Sequence, residues 1–323
     1  MTTWGVVATI KARPKEVLSF VAYHLEQGAD HLFIFLDNEN PVAEAALRAD
    51  DRVTVTRTHD QYWRDRQRKR PAKHQVRQTV NATFAYENAG HLDWLIHIDV
   101  DEYLCPARTI HQTLSEIASD VVCARVHPAE ALATDGIDGL DPKATYCKAW
   151  MPADFKRRDL EAQIYPNFGG YIRGGFVSHF VGKIFVRTGQ KDLIFRIHRG
   201  TVHGDEIAPQ IALKDIELCH RHITGWESWR KVMDYRMSKG SYRSELKPTR
   251  PADVGGMSLH DLFTFLHTQG GEASLRAFFE EVCLARPELL KTLQSHDLLR
   301  VYYLGLDAAR RKHFPDWRRN VAK

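Results

Sequence analysis

The first hundred residues alternate short apolar runs with amphipathic stretches, and this alternation leaves few folds open. Residues 4–10 (WGVVATI), 31–36 (HLFIFL), 52–57 (RVTVTR) and 93–99 (DWLIHID) have the length and the β-branched or aromatic content of strands. Residues 14–28, 42–49 and 72–89 between them read as helices. In the first of these, Pro14 suits the opening turn, Val17, Leu18, Val21 and Leu25 make one face, and Gly28 suits the end. Strands separated by helices predict an α/β architecture, a mostly parallel, Rossmann-like sheet flanked by helices. Ligands of such sheets bind beyond the carboxyl ends of the strands. Here those positions are Lys11, Asp37-Asn38, His59-Asp60 and 99–102.

The rest of the chain is less regular. Strand-like pieces occur at 121–127, 181–187 and 193–198, with Gly169-Gly170 and Gly174-Gly175 marking a loop. Helices are expected at 225–239, 258–268, 272–285, 287–294 and 296–312, after a linker marked by Pro248, Pro251 and Gly255-Gly256. The leucine and phenylalanine stripes of these helices, such as Leu262, Phe263, Leu266, Phe278 and Phe279, read as packing.

Composition closes off other classes. Apolar residues are 43% of the 323 and charged residues 27%, which excludes a disordered or fibrous chain. The five cysteines (Cys105, Cys123, Cys147, Cys219 and Cys283) form no CxxC pair. That excludes a zinc ribbon or a disulfide scaffold and suits a reducing compartment. No apolar run approaches the roughly 18 residues of a membrane span, and no signal peptide is read at the start. A cytoplasmic location is expected. The net charge of +4 is mild, so anion binding must come from local clusters.

The most informative stretch follows the fourth strand. His97-Ile98-Asp99-Val100-Asp101-Glu102 places three carboxylates within four residues. If the strand continued, Asp99 and Asp101 would point to one side. Their repulsion is relieved by a hard divalent cation, Mn2+ or Mg2+, which prefers oxygen ligands and substrate phosphates. A solvated turn is the plain alternative.

The run Asp93-Trp94-Leu95-Ile96-His97-Ile98-Asp99-Val100-Asp101-Glu102-Tyr103-Leu104 resembles the strand-to-D-x-D-E segment of family 2-like glycosyltransferases with a GT-A fold. His24 and Gly28 with the strand running to Asp37-Asn38, then Gln78, Asn81 and Ala85, are similar to further positions of that family. So are the segment Gly182-Lys183-Ile184-Phe185-Val186-Arg187, then His203-Gly204 and His220, and the tryptophans Trp226 and Trp229 beyond. The ordered set covers about 4–240. One departure is Ala12-Arg13-Pro14, where the family often has Asn-Glu.

The resemblance implies a GT-A-like glycosyltransferase domain over 1–245 and a helical region over 246–323. It implies a metal-dependent enzyme that moves a sugar, with inversion, from a nucleotide-sugar donor to a glycan or lipid-linked glycan acceptor. A UDP-sugar is the first choice of donor. Asp99 would contact the ribose or the metal, Asp101 would bind the metal bridging the phosphates, and His220 would complete the metal site. The ion would stabilise the departing diphosphate.

Other residues fit the same chemistry. Thr9, Lys11 and Asp37 are candidate base or ribose contacts, and Gln78 lies on the helix before the acidic strand. Lys183 and Arg187 occupy alternate positions of one strand and are candidates to face the diphosphate together. Inversion needs a general base for the acceptor hydroxyl. Asp205 and Glu206 are the candidates, in a polar stretch with His198 and His203, and Asp154, Asp159 and Glu161 are rivals.

Two basic segments also stand out. Residues 64–77 hold seven Lys or Arg against Asp65, suited to a diphosphate or an anionic acceptor. Arg310, Arg311, Lys312, Arg318 and Arg319, with Phe314 and Trp317, make a basic-aromatic end suited to an anionic membrane surface. No nucleic-acid module is recognisable, and no nucleic-acid partner is expected.

Rival functions are a metal-dependent nucleotidyltransferase or phosphate-ester hydrolase, and a non-catalytic nucleotide- or glycan-binding relic. The first would want a Gly-rich loop after the first strand. An aspartyl-phosphate hydrolase would want its Asp pair there. Residues 9–14 have neither.

Overall fold

The computed structural model describes residues 2–152, 157–248 and 256–317. Pro251 and Gly255 of the expected linker, the rival base Asp154, and Arg318 and Arg319 lie outside these residues. In chain order the elements are β1 (Trp4–Ile10), α1 (Pro14–Glu26), β2 (His31–Leu36), α2 (Pro41–Leu47), β3 (Val53–Arg57), α3 (Asp60–Asp65), α4 (His74–Glu87) and β4 (Trp94–His97). Next come β5 (Glu102–Pro106), α5 (Ile110–Ser115), β6 (Cys123–Ala131), β7 (Thr145–Ala149), α6 (Arg157–Ile164), β8 (Lys183–Arg187), β9 (Leu193–Phe195), β10 (Gly200–Val202), β11 (Asp205–Glu206) and β12 (Gln210–His220). The chain closes with α7 (Trp226–Lys231), α8 (Met233–Ser238), α9 (Leu259–Val282), α10 (Pro287–Ser295), β13 (Leu299–Tyr302) and α11 (Leu306–His313).

Two compact units are interleaved in sequence. The first comprises Met1–His127, Val181–Leu218 and Leu304–Lys323, and the second Pro128–Phe180 and Cys219–Tyr303. Two of the boundaries fall inside β6 and β12.

The first unit is built on four parallel strands in the order β3-β2-β1-β4. This is the α/β, Rossmann-like parallel sheet expected from the alternating pattern. β8 then joins β4 antiparallel, and the first half of β6 joins β8. β1 lies between β2 and β4, so both its faces and both its edges are covered, and all seven of its residues are buried. That position explains an unbroken apolar run instead of an alternating one.

Close approach also fixes Gly5. A Cβ there would lie 2.7 Å from the His31 carbonyl and 2.5 Å from Leu92 Cδ1. Gly5→Ala is expected to cost about 1–3 kcal/mol through overpacking, read as a lowered urea midpoint with an unchanged m-value.

Arg13-Pro14 opens α1. The Arg13 N–H donates to Glu16 Oε2 at 2.9 Å, and proline's fixed φ suits the first turn. The helix ends at Glu26, and Gly28 just past its cap takes a left-handed φ of +88°. Trp63, Phe35, Tyr62, Leu95, Val186 and Phe195 belong to the core on one side of the sheet. Each such side chain contributes roughly 1.5–3 kcal/mol by leaving water.

The basic C-terminal stretch lies against α1. Arg310 donates to Ser19 Oγ and to Asp307 at 2.8 and 2.7 Å, and Lys312 donates to Glu26 at 3.0 Å. Phe314 is buried. Two of the basic residues thus make internal contacts, while Arg311 stays exposed.

In the second unit β7 pairs antiparallel with the second half of β6 and with β13. β13 corrects the helix expected over 296–312. Its Leu-Arg-Val-Tyr sequence gains a ladder with 145–148, and the helix is confined to α11. The two helices expected at 258–268 and 272–285 are both present within α9, separated by a break at Gly271, where φ is 59°. The core gathers Trp226, Trp229, Phe263, Phe278 and Phe279, so the leucine and phenylalanine stripes do pack inward. A buried ion pair, Lys148 with Glu130 at 2.9 Å, sits within this unit. Glu130 also accepts from the Val177 and Ser178 N–H groups, and Lys148 donates to the Gly175 and Val282 carbonyls, so every charge is satisfied.

Candidate functional site at the carboxyl edge of the sheet

The parallel strands of the first unit deliver Lys11, Asp37 and Asp99 to one edge, the carboxyl ends of β1, β2 and β4. Lys11 is exposed there. Thr9 is buried, and its Oγ1 accepts from Asn81 Nδ2 at 3.0 Å. Asn81 in turn accepts from the Tyr62 hydroxyl at 2.6 Å. This chain ties the end of β1 to α4 and α3.

Asp37 carries the most concentrated set of donors. Arg70 Nη2 and Arg77 Nε each reach it at 2.8 Å, Thr58 Oγ1 donates at 2.8 Å, and His74 Nδ1 lies 3.4 Å away. Its side chain has no solvent-accessible surface. Burial alone would raise its pKa. The contacts with His74, Arg70, Thr58 and Arg77 outweigh burial and hold the carboxyl well below the usual carboxylate range. Asp37 therefore clamps the basic segment 64–77. Arg66 lies over the Tyr62 and Phe84 rings, 3.7 and 4.1 Å from their centroids. Arg68, Lys69 and Lys73 stay exposed. Asp37→Asn is expected to cost about 1–3 kcal/mol and to speed limited proteolysis within 64–73, read by mass spectrometry of the fragments.

Asp99 is the second centre. Lys183 Nζ reaches its Oδ2 at 2.6 Å, and Gln78 Nε2 donates to Oδ1. Lys183 also lies 3.2 Å from Glu102 Oε2. Glu102 in turn accepts from the Asp99 N–H at 2.8 Å, while the Glu102 N–H donates to the Asp99 carbonyl at 3.0 Å. Residues 99–102 thus form a closed turn, and β4 stops at His97. This corrects the strand expected over 93–99 and its continuation to Asp101: the alternation that would align Asp99 with Asp101 does not apply.

The electrostatics follow from burial and pairing. For Asp99 burial acts to raise the pKa, and Lys183 and then His97 reverse it, so the carboxyl is held well below its ordinary value. For Lys183 burial acts to lower it, and Asp99 and Glu102 reverse it, so the ammonium is held above its ordinary value. His97 is buried beside them; burial and then the Lys183 charge push it down to about 4, so it is neutral.

Three of the sequence candidates, Gln78, Asp99 and Lys183, are therefore brought together. Glu102, seen in the sequence only as part of the acidic run, joins them. Arg187 does not. Its guanidinium lies over the Trp94 ring at 4.2 Å and donates to the Val121 and Ala118 carbonyls, which corrects the pairing with Lys183. Asp205 and Glu206 form β11, an exposed strand of the small β9-β10-β11 sheet. Among the described residues neither shares a hydrogen bond or ion pair with the Asp99 group.

In the second unit the His220 and His222 rings are 5.2 Å apart. The Tyr242 oxygen accepts from Trp229 Nε1 and Arg236 at 3.2 and 3.3 Å, so its proton is directed to His222 Nε2 at 3.0 Å.

A cleft of about 390 Å3 opens in the first unit between the amino-terminal half of α4 and the loop 196–199. Each wall is tied to the Asp99 group, α4 through Gln78 and the loop through His198, whose Nδ1–H donates to the Gly182 carbonyl at 2.8 Å.

No family model matches this chain, and no curated protein matches it. Among solved structures it is similar to HddC from Yersinia pseudotuberculosis, at 12% identity and a TM-score of 0.27 over 42% of this chain and 65% of that one. It is also similar to the galactosyltransferase LgtC in complex with donor and acceptor sugar analogs, at 10% identity and a TM-score of 0.24 over 57% of each chain. The chain spans less than two thirds of the length of either. Its α/β class rests on its own strand order and register. Among the described residues no helix is long and apolar enough to cross a membrane.

Proposed function

We propose that the protein is a metal-dependent glycosyltransferase that takes a nucleotide-sugar, a UDP-sugar first, and glycosylates a glycan or lipid-linked glycan with inversion. The observation that supports this reading is the Asp99 turn. Lys183 and Gln78 lock Asp99 at the carboxyl edge of the parallel sheet, and the turn presents Asp101 two residues on, outside the Lys183 pair.

The donor set suits Mn2+ or Mg2+. Asp101 offers carboxylate oxygen, and His220 is the imidazole of its pair not held by Tyr242. In this reading Asp101 and His220 hold the ion, and Asp99 orients Asp101 and the ribose. The ion, when bound, supplies positive charge to the departing diphosphate. Thr9, Lys11 and Asp37 border the nucleotide; Asp37 acts through Arg70 and Arg77. Asp205 or Glu206 takes the proton of the acceptor hydroxyl. The reaction takes place in the cytoplasm or at the inner face of a membrane.

The test is release of nucleoside diphosphate from a panel of UDP-, GDP-, CDP- and ADP-sugars with Mn2+. One donor class should be turned over, and EDTA should stop it. Turnover that EDTA leaves unchanged would refute the metal dependence.

A further inference from the structure

We infer that the cleft beside Asp99 receives the carboxylate of an acidic acceptor sugar, gripped by Arg196 and Arg199; this rests on the transferase reading above. The cleft has the volume of a small ligand site, about 390 Å3. One wall is α4, with Gln75, Val76 and Val80, and the other is the loop bearing Arg196, Ile197 and Arg199. Among the described residues no acidic side chain lines it. Arg196 and Arg199 are exposed, and among the described residues neither is ion-paired. Val76 is 44% exposed on the α4 wall.

The walls do not spread freely. Thr83 Oγ1 accepts from the Phe195 N–H at 3.0 Å, and His198 is held on the Gly182 carbonyl. The Gly182 carbonyl that holds His198 is next in sequence to Lys183, which pairs with Asp99. A pyranose laid against Val76, Val80 and Ile197 would turn its apolar face to them. Its carboxylate would meet guanidinium forks, which match a planar anion with paired hydrogen bonds better than an ammonium does.

The same arginines would also suit the donor's diphosphate, and the test separates the two sources. The probes are a glucuronate-containing oligosaccharide, its carboxyl-reduced form, and UDP with Mn2+, each titrated into the full chain by calorimetry. Wild type should bind the acidic oligosaccharide at least about tenfold more tightly than the reduced one. The double variant Arg196→Ala/Arg199→Ala should lose that preference, a fall of about tenfold to a hundredfold, with UDP affinity unchanged. Val76→Glu, which places a carboxylate on the opposite wall, should do the same without touching the arginines.

Equal binding of the two oligosaccharides, or binding of neither, would overturn the inference; the UDP titration would then decide the transferase reading separately. Loss of UDP binding in the double variant would assign the arginines to the donor and also overturn it. Acidic binding in a protein that takes no nucleotide would uphold the cleft and overturn the transferase reading.

Discussion

Asp101→Asn is expected to lower the transfer rate by roughly a hundredfold to a thousandfold and to leave the fold intact. The substitution keeps the size of the side chain and removes one charge. That charge is the one the turn presents outside the Lys183 pair, because Lys183 is already committed to Asp99 and Glu102. Loss of a ligand carboxylate weakens the hold on the cation and on the diphosphate together. The rate should therefore recover in part at raised Mn2+, which a purely structural defect would not do. The urea midpoint should correspond to a change under about 1 kcal/mol, the usual range away from the core. Asp99→Asn should behave differently, losing stability as well as rate, because its carboxylate is held by Lys183 and Gln78.

Lys183→Met is expected to destabilise the first unit by about 3–5 kcal/mol, since it strands two carboxylates that share one buried cation. The pH dependence follows from the two directions of shift. Asp99 has its folded pKa depressed below the ordinary 3.8. Its stabilising contribution is present above that value and is lost as pH falls through the folded pKa. Lys183 has its folded pKa raised above the ordinary 10.5. Its contribution is present below that value and is lost as pH rises through the folded pKa. Wild-type stability from this pair is thus flat from about pH 5 to 10. The deficit of Lys183→Met should be full in that window and should shrink as pH falls toward 4, where protonation relieves Asp99 and Glu102. Denaturant midpoints at pH 4 and 7.5 check this. A deficit equal at both would mean that repulsion between the two carboxylates is not the cause.

What the sequence made legible was local or periodic. β1 and β2 are unbroken apolar runs because the sheet buries both their faces, and such runs are visible at a glance. Arg13-Pro14 and Gly28 punctuate α1 for reasons internal to the segment. Gln78, Asp99 and Lys183 were each singled out, but their meeting was not visible, since Lys183 lies 84 residues beyond Asp99. The turn at 99–102 stood only as the alternative to a continuing strand, because it depends on the Glu102 carboxylate capturing the Asp99 N–H, a contact that strand periodicity does not encode. β13 was hidden inside a helical pattern because its partner strand, β7, lies some 150 residues earlier, and only that pairing makes Leu299–Tyr302 extended. Arg187 followed the strand's alternation but found the Trp94 ring and two carbonyls within reach, so a side chain assigned to a ligand serves the fold.

The central claim is that Asp101 ties nucleotide binding to a divalent ion. Its most direct test is calorimetric titration of the protein and of Asp101→Asn with UDP, GDP, CDP and ADP, each with and without Mn2+. One nucleotide, UDP before the others, is expected to bind wild type only with Mn2+ and to fail to bind the variant. Binding of no nucleotide to folded wild type with Mn2+ present, or equal binding to both proteins without metal, would contradict it.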